Sequence, residues 1–473
     1  MKKTDFVIGA AGTGKTTWIE NKIREVEAEG KTWTYITYSA AMAAEAKQRI
    51  GRQFDTIGTF HSLISKYQGL HNFFTYTKKE HGVAFAQKMG ITYNPYHRIT
   101  IDEESDKDDF AKFLSAYSLM HNTLADAMPE DTDGILDMEF LRDKYDAFKR
   151  KNGLIDYTDI LRKGLDNMPF HDVLFVDESQ DLTPLLWDII DGWPVGKCYV
   201  VGDPYQSIYT FLGSSIDTFM DHYADANSVI SLNKSYRFGD SIKELSKSVV
   251  KGVANIPIEY EACGNTHIKH STYLSEFTRL KGTKAILART NKIAKKMAEV
   301  VEPNLPINYE HAHNTPYDKS TIMLTNIMHR YPDITMDETT VLARLMPASM
   351  LNKGVKTDAV KNELTLDDYN KGIFRMAEKK RDIIVNMKIL PNKKQVILKN
   401  YIYGINMEDV VYIDTIHASK GMEFDNVMLL TDIPYNITQN ADEKCILYTG
   451  ITRVRQNFYY GYMGLGSSSY VVR

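Results

Sequence analysis

The sequence predicts an α/β protein with mainly parallel sheets, on three observations. Strand-then-helix patterning recurs around Phe6–Glu27, Trp33–Ile50 and Val173–Trp187. In the first of these units a glycine-rich turn, Gly9-x4-Gly14-Lys15-Thr16, joins strand to helix. In the third, an apolar strand ends in paired carboxylates, Asp177-Glu178. Ligands in open parallel sheets bind beyond the carboxyl ends of the strands, where both features lie.

The first unit reads as a short strand at Asp5–Ile8, then a helix over Thr17–Ala28 with Trp18, Ile19, Ile23 and Val26 on or near one face. Between them, Gly9, Ala10, Ala11, Gly12, Thr13 and Gly14, with Lys15, Thr16 and Thr17, form the expected phosphate cradle. The glycines let backbone N–H groups converge on phosphate oxygens, Lys15 offers a point charge to the β and γ phosphates, and Thr16 offers a hydroxyl to Mg²⁺. Such a loop serves kinases, GTPases, transporters and motors alike. The strand Val173–Val176 narrows the choice. Asp177 at its end is placed to hold the Mg²⁺ shell and Glu178 to take a proton from an attacking water, so the chain is expected to hydrolyse a nucleoside triphosphate.

Bulk properties set the frame. A chain of 473 residues has room for two to four domains. Its 43% hydrophobic and 25% charged residues are those of a folded globular chain. The net charge of −4 gives no global basic field, so any nucleic-acid surface must be a local groove. Cys198, Cys263 and Cys445 form no CxxC pair, which argues against a disulfide framework, a zinc ribbon or a cysteine-ligated cluster. The amino-terminal apolar run is too short for a signal peptide, and no stretch reaches the roughly 18 apolar residues of a membrane span. A cytoplasmic protein without membrane contact is expected.

With "DESQD" (177–181) beside the phosphate loop, the chain resembles the UvrD/Rep/PcrA family of superfamily 1 helicases. Further segments fall in that family's order: "YITYSAAMAAEAKQRI" (35–50), "GTFHSL" (58–63), "LIDYTDIL" (154–161), "VVGDPYQSIYTFLGS" (200–214), "NKSYRF" (233–238), "AILARTN" (285–291), "TIHASKGMEFDNV" (415–427) and "LYTGITRVR" (447–455). The resemblance therefore runs from residue 6 to residue 455. It implies two RecA-like P-loop domains, each interrupted by a mainly helical inserted subdomain, with ATP in the cleft between them. The implied division places the first core domain at 1–67 and 152–232, its insertion at 68–151, the second core domain at 233–312 and 401–473, and its insertion at 313–400.

Residue roles follow from the same resemblance. Arg237 in "SYRF" and Arg453 in "GITRVR" resemble the arginines that cross the cleft and stabilise transition-state charge. Gln206 resembles the glutamine linking the γ-phosphate to the strand-binding surface. Tyr236 resembles the tyrosine that stacks on adenine, and Gly421 and Glu423 match the motif whose carboxylate lies near the ribose. Single-stranded DNA needs aromatic platforms, because every base has a π-face. Thr37, Tyr38, Thr59, Phe60, His61, Tyr209 and Phe211 match strand-contacting positions, with Arg289 and Asn291 as weaker matches. Tyr38 and Phe211 are the strongest, each at a family stacking position on a loop after a strand. His417 has two readings, a strand contact or a backbone hydrogen bond. With 29 tyrosines in the chain, one or two of these aromatics are expected to fill the core instead.

The pattern departs from the family in four places. Only Met1 to Ile8 precede Gly9, so the segment that reads the adenine edge is expected to be missing and base discrimination relaxed, with comparable hydrolysis of GTP and ATP. The Asn-Lys pair after the stacking residue is Ala40-Ala41, and the tryptophan–arginine of the third motif is Phe211-Leu212, which should weaken strand binding and flatten its salt dependence. Both insertions look trimmed. The acidic run "DEESDKDD" (102–109) reads as a solvated helix start, and "AEKKRDIIVNMKILPNKK" (377–394) as a basic solvated helix broken at Pro391 or a duplex contact. With only a short remainder after Arg453, no appended nuclease domain is expected.

The expected activity is ATP- and Mg²⁺-dependent translocation 3′ to 5′ on single-stranded DNA with unwinding at single-strand/duplex junctions. The alternatives are a translocase or protein-displacing ATPase with little autonomous unwinding, the opposite polarity, an RNA substrate, a P-loop small-molecule kinase and a nucleotide-gated binding module.

Overall fold

The computed structural model describes residues 3–50, 56–72, 75–94, 108–131, 134, 136–254, 256, 259–269, 272–300, 307–308, 319–347, 350–351, 380–400, 402, 404–430, 440–461 and 471–472. The chain divides into two compact units, residues 1–267 with 433–455, and residues 268–432 with 456–473.

The first unit is built on a six-stranded, wholly parallel sheet. Its strands are β1 (Lys3–Gly9), β2 (Trp33–Ile36), β3 (Ile57–Gly58), β4 (His171–Val176), β5 (Val195–Gly202) and β6 (Ser228–Leu232), in the order β3-β2-β4-β5-β1-β6. Strands buried on both faces read as continuous apolar runs, and Phe6–Gly9 and Trp33–Ile36 are buried without a break. Alternation then divides the side chains between faces. Val7, Tyr35, Phe175 and Tyr199 pack against Ile19 and Ile23 of the helix Lys15–Ala28. Phe6, Ile8, Leu174, Val176 and Val200 pack against Leu185, Trp187 and Ile189 of the helix Pro184–Gly192.

Between β3 and β4 the chain forms the helices Lys79–Met89, Asp109–Asn122 and Met138–Asn152, with an aromatic core of their own around Phe85, Phe110, Phe113, Tyr117 and Tyr145. Of the acidic run 102–109, residues 102–107 lie outside the described residues. Asp108 caps the helix Asp109–Asn122 by accepting from the Ala111 amide at 2.8 Å, and Asp109 lies in its first turn, as a helix start requires.

The second unit holds another six-stranded sheet. Its strands are β7 (His267–Lys269), β8 (Lys284–Ala288), β9 (Ile307–Asn308), β10 (Val411–Thr415), β11 (Phe424–Leu430) and β12 (Val454–Gly461), in the order β7-β12-β11-β8-β10-β9, with β8 parallel to both neighbours and β9 parallel to β10. The helices Lys319–Arg330, Met336–Leu345, Lys380–Asn386 and Pro391–Asn400 contribute a separate core around Leu324, Met328, Leu342, Ile383 and Ile397. Within the basic stretch, 377–379 lie outside the described residues. Its helix ends at Asn386 and a new one begins at Pro391, where the missing N–H costs nothing. Ile383, Ile384 and Met387 are buried there, so one face of the basic stretch is core. Of the remainder after Arg453, 462–470 and 473 are also outside the described residues.

The fold is thus the expected α/β class with parallel sheets and helical insertions. Among the described residues no helix is long and apolar enough to cross a membrane, and the three cysteines are free, Cys198 and Cys445 buried and Cys263 exposed.

Candidate nucleotide site and aromatic surface

Parallel strands place their following loops along one edge of the sheet. The loops after β1, β4 and β5 therefore converge, carrying Gly9–Lys15, Asp177-Glu178 and Asp203–Gln206. In the first loop, Gly12 and Gly14 adopt φ of 75° and 79°, the left-handed region that only glycine enters cheaply. A Cβ on Gly9 would overlap the Thr13 hydroxyl, so the cradle depends on the bare backbone. The Lys15 ammonium donates to the carbonyls of Gly9 at 2.9 Å and Ala10 at 3.2 Å. Lys15 and Thr16 are half-buried at the head of the helix Lys15–Ala28, and Thr17 is exposed and accepts from Arg49 at 3.2 Å. Backbone amides, an ammonium and a helix N-terminus form a donor set suited to phosphate.

Asp177 is buried, and its carboxylate accepts from the Tyr35 hydroxyl at 2.7 Å and the Glu178 amide at 2.9 Å. Burial first, and the Glu178 charge second, push the Asp177 carboxyl up to about 6. Glu178 takes φ 55°, unusual for a residue with a side chain, and Gln180 donates to its Oε2 at 2.5 Å. Gln180 also accepts from the Asp203 amide at 3.1 Å, tying the loops after β4 and β5 together. Among the described residues no cluster of three or more His, Cys, Asp or Glu is arranged to hold a metal. The donors at hand are the Thr16 hydroxyl and the Asp177 carboxylate, a set that fits Mg²⁺ with retained waters.

Asp203 is fully buried, and burial raises its carboxyl, partly offset by the charge of Lys15. Its Oδ2 accepts from Gln206 Nε2 at 2.8 Å and from the Tyr448 hydroxyl at 3.1 Å. Gln206 in turn accepts from Arg453 Nη2 at 2.6 Å, while Arg453 Nε donates to the Thr449 carbonyl at 2.9 Å. The Arg453 guanidinium is buried, and desolvation, followed by the like charge of Arg237, pulls it down to about 9. Arg237 donates to the Thr452 carbonyl at 2.9 Å. Its own segment is fastened to the phosphate loop by Ser235 Oγ donating to the Ala11 carbonyl at 2.8 Å and the Tyr236 amide donating to the Gly12 carbonyl at 3.0 Å.

Lys15, Asp177, Glu178, Gln206, Arg237 and Arg453 therefore all lie in the first compact unit. Hydrogen bonds from 235–237 to the phosphate loop, and from Arg453 to Gln206, hold Arg237 and Arg453 with the first sheet. Tyr236 is 69% exposed, a ring face open to solvent beside the loop.

On the same edge, Tyr38 follows β2 and stacks on Tyr209, with centroids 4.8 Å apart and planes 18° from parallel. Tyr209 meets Phe211 edge-on at 5.9 Å, and Phe211 is exposed. His61 is half-buried, edge-on to Tyr157 at 5.4 Å, and burial pushes its imidazole down to about 4. Phe60 departs from the expected strand contact. Its ring is 4% exposed in the core with Leu63 and Ile64, so it serves packing and presents no face to a strand. Thr37 is likewise buried, and Thr59 caps the helix Phe60–Tyr67 through a reciprocal bond with Ser62.

Arg289, Asn291, His417, Gly421 and Glu423 belong to the second unit. Arg289 and Asn291 flank the start of the helix Asn291–Val300 after β8. Gly421 has φ 83° and Glu423 is exposed just before β11, while His417 is buried in the turn after β10.

Sequence reasoning missed Gln180, Asp203, Tyr35 and Tyr448 as members of the network. All four stand inside motifs already singled out, "YITYSAAMAAEAKQRI", "DESQD", "GDPYQ" and "LYTGITRVR", but their neighbours in the network come mostly from distant loops. It also missed Lys149. That ammonium is 3% exposed and meets Asp159 at 2.7 Å and Asp156 at 2.8 Å, which explains the acidic residues of "LIDYTDIL" as an internal ion-pair cage.

Residues 1–227 match the UvrD/REP helicase N-terminal domain, and residues 393–464 match the UvrD-like helicase C-terminal domain, together more than half of the chain. F-box DNA helicase protein 1 of Schizosaccharomyces pombe is 27% identical over 129 residues, covering 25% of this chain and 14% of that protein. ATP-dependent DNA helicase UvrD1 of Mycobacterium leprae is 24% identical over 372 residues, covering 63% of this chain and 46% of that protein. The chain thus spans less than half the length of either relative. Among solved structures, an Arterivirus nonstructural protein 10 (helicase) with DNA aligns over 98% of this chain and 62% of its own, at 11% identity and a TM-score of 0.36, too loose to carry an argument.

Proposed function

The chain belongs to the UvrD-like superfamily 1 helicases, and from that membership we propose that it hydrolyses ATP to move 3′ to 5′ along single-stranded DNA and to unwind duplex. The observation that supports this most is the joining of the phosphate loop, the Asp177-Glu178 pair, Gln206 and Arg453 at one sheet edge, beside the aromatic row Tyr38, Tyr209 and Phe211.

In this reading the loop amides and Lys15 bind the phosphates, with Lys15 exchanging its two carbonyl acceptors for phosphate oxygens. Thr16 and Asp177 would hold Mg²⁺, which would neutralise charge on the phosphates. Glu178 orients the attacking water and takes its proton, and the products are ADP and phosphate. Gln206 senses the γ-phosphate, while Arg453 and Arg237 neutralise charge that develops as the bond to it breaks. Tyr236 stacks on the base, with Gly421 and Glu423 near the ribose. Bases of the strand stack on Tyr38 and Phe211, with Tyr209, His61, Thr59, Arg289, Asn291 and His417 as further contacts. The division into two core domains at 1–67 with 152–232 and 233–312 with 401–473, each carrying its insertion, belongs to the same proposal, as does work in the cytoplasm.

The test is strand separation on duplexes with a 3′ tail, a 5′ tail or none, with ATP and Mg²⁺, beside hydrolysis with and without single-stranded DNA. Unwinding from the 3′ tail alone supports the full proposal. Strand-stimulated hydrolysis without separation reduces it to a translocase. Hydrolysis that survives Lys15→Ala, or no hydrolysis by the parent, overturns it.

A further inference from the structure

We infer that Tyr448 is a positioning residue for ATP hydrolysis, which fixes the Asp203–Gln206 pair against the phosphate loop. The inference rests on the ATPase reading above and concerns a residue to which that reading gives no role.

Tyr448 lies on the helix Ala441–Ile451 and is 2% exposed. Its hydroxyl donates to Asp203 Oδ2 at 3.1 Å and accepts a long contact from the Ala11 amide at 3.5 Å. The same Asp203 oxygen accepts from Gln206, whose own oxygen accepts from Arg453. One phenolic group therefore joins the phosphate-loop backbone to the carboxylate that orients the γ-phosphate-sensing glutamine.

A phenol has a single proton to give. Burial and the facing Asp203 carboxylate push the Tyr448 hydroxyl far above its usual range, so that proton stays in place and is committed to Asp203. Without it, the buried carboxylate must draw more heavily on Gln206 or on the nearby charge of Lys15. Both of those groups are needed at the phosphates, so the cost falls on turnover.

The ring itself is held independently of the hydroxyl. It packs against Tyr205, with centroids 5.8 Å apart, and Tyr205 is anchored by donating to the carbonyls of Ile256 at 2.9 Å and Ala254 at 3.2 Å. Tyr448→Phe therefore removes the proton and keeps the packing.

The experiment compares the full chain with Tyr448→Phe, Gln206→Ala and the double variant. The readouts are steady-state ATP hydrolysis, binding of a fluorescent ATP analogue, and thermal melting. Tyr448→Phe is expected to lower kcat about tenfold, with nucleotide affinity within about twofold and a melting temperature within a few degrees of the parent. Because Tyr448 acts through Gln206, the double variant is expected to be no slower than Gln206→Ala alone. An unchanged kcat in Tyr448→Phe, additive losses in the double variant, or equal falls in kcat, affinity and melting temperature would each overturn the inference. If hydrolysis is abolished by Lys15→Ala while Tyr448→Phe is silent, only this inference fails. A parent that hydrolyses no ATP removes both readings.

Discussion

Arg453 donates to the Oε1 of Gln206 across 2.6 Å, and both side chains are buried. A guanidinium taken out of water in this way must be matched on several of its N–H groups, and Arg453 uses Nε for the Thr449 carbonyl and Nη2 for Gln206. The arginine and the glutamine are thus held as one hydrogen-bonded unit.

Arg453→Lys is expected to lower kcat for ATP hydrolysis by about 10²-fold or more, with a smaller change in nucleotide affinity. Lysine retains the charge but lacks the planar fork that reaches both acceptors. Steady-state hydrolysis beside nucleotide titration checks it, and a kcat within threefold of the parent would sink the assignment.

Phe211→Ala and Tyr38→Ala are each expected to weaken single-stranded DNA binding by about 1–3 kcal/mol, with the dependence of affinity on salt unchanged. Phe60→Ala is expected to act differently, lowering stability by about 3–5 kcal/mol, because its ring lies in the core. Fluorescence anisotropy at several salt concentrations, with chemical denaturation alongside, separates the two classes.

Lys149→Met is expected to destabilise the first unit by about 3–5 kcal/mol. The ammonium lies within 2.8 Å of Asp156 and Asp159 and 3.6 Å of Asp146, and Tyr117 is 3.0 Å away. Removing it strands carboxylates in a buried site, and adding Asp156→Asn to Lys149→Met should recover part of the loss. Urea unfolding of the parent and both variants measures this.

His61 and His121 set a pH dependence of stability. Burial lowers both imidazoles to about 4, helped at His121 by the charge of Arg162 and opposed at His61 by a backbone hydrogen bond. In the unfolded chain such rings protonate near pH 6.5, at about the ordinary value. Between those values the unfolded state binds more protons, so the stability these rings contribute is lost as pH falls from about 6.5 to 4. Asp177, raised to about 6, acts with the opposite sign over an overlapping window. The double variant His61→Gln/His121→Gln should therefore lose less melting temperature than the parent between pH 7 and pH 5. An identical slope for both proteins would remove the two rings as the cause.

Residue order alone carried the local chemistry. The turn Gly9–Lys15 and the strand that ends at Asp177 are legible because each depends on neighbours a few positions apart: glycines where φ turns positive, an apolar run before a carboxylate pair. The α/β class follows from the same short-range patterning, repeated. Burial and long-range partnership were decided by tertiary structure. Nothing adjacent to Phe60 distinguishes a core ring from a strand platform, and only the packing of Leu63 and Ile64 around it does. Nothing adjacent to Tyr448 points to Asp203, 245 positions away, and nothing in "SYRF" or "GITRVR" says that both arginines rest beside the phosphate loop's own sheet. A side chain's partner is set by which distant loops parallel strands carry to a common edge, and short-range patterning holds no record of that meeting.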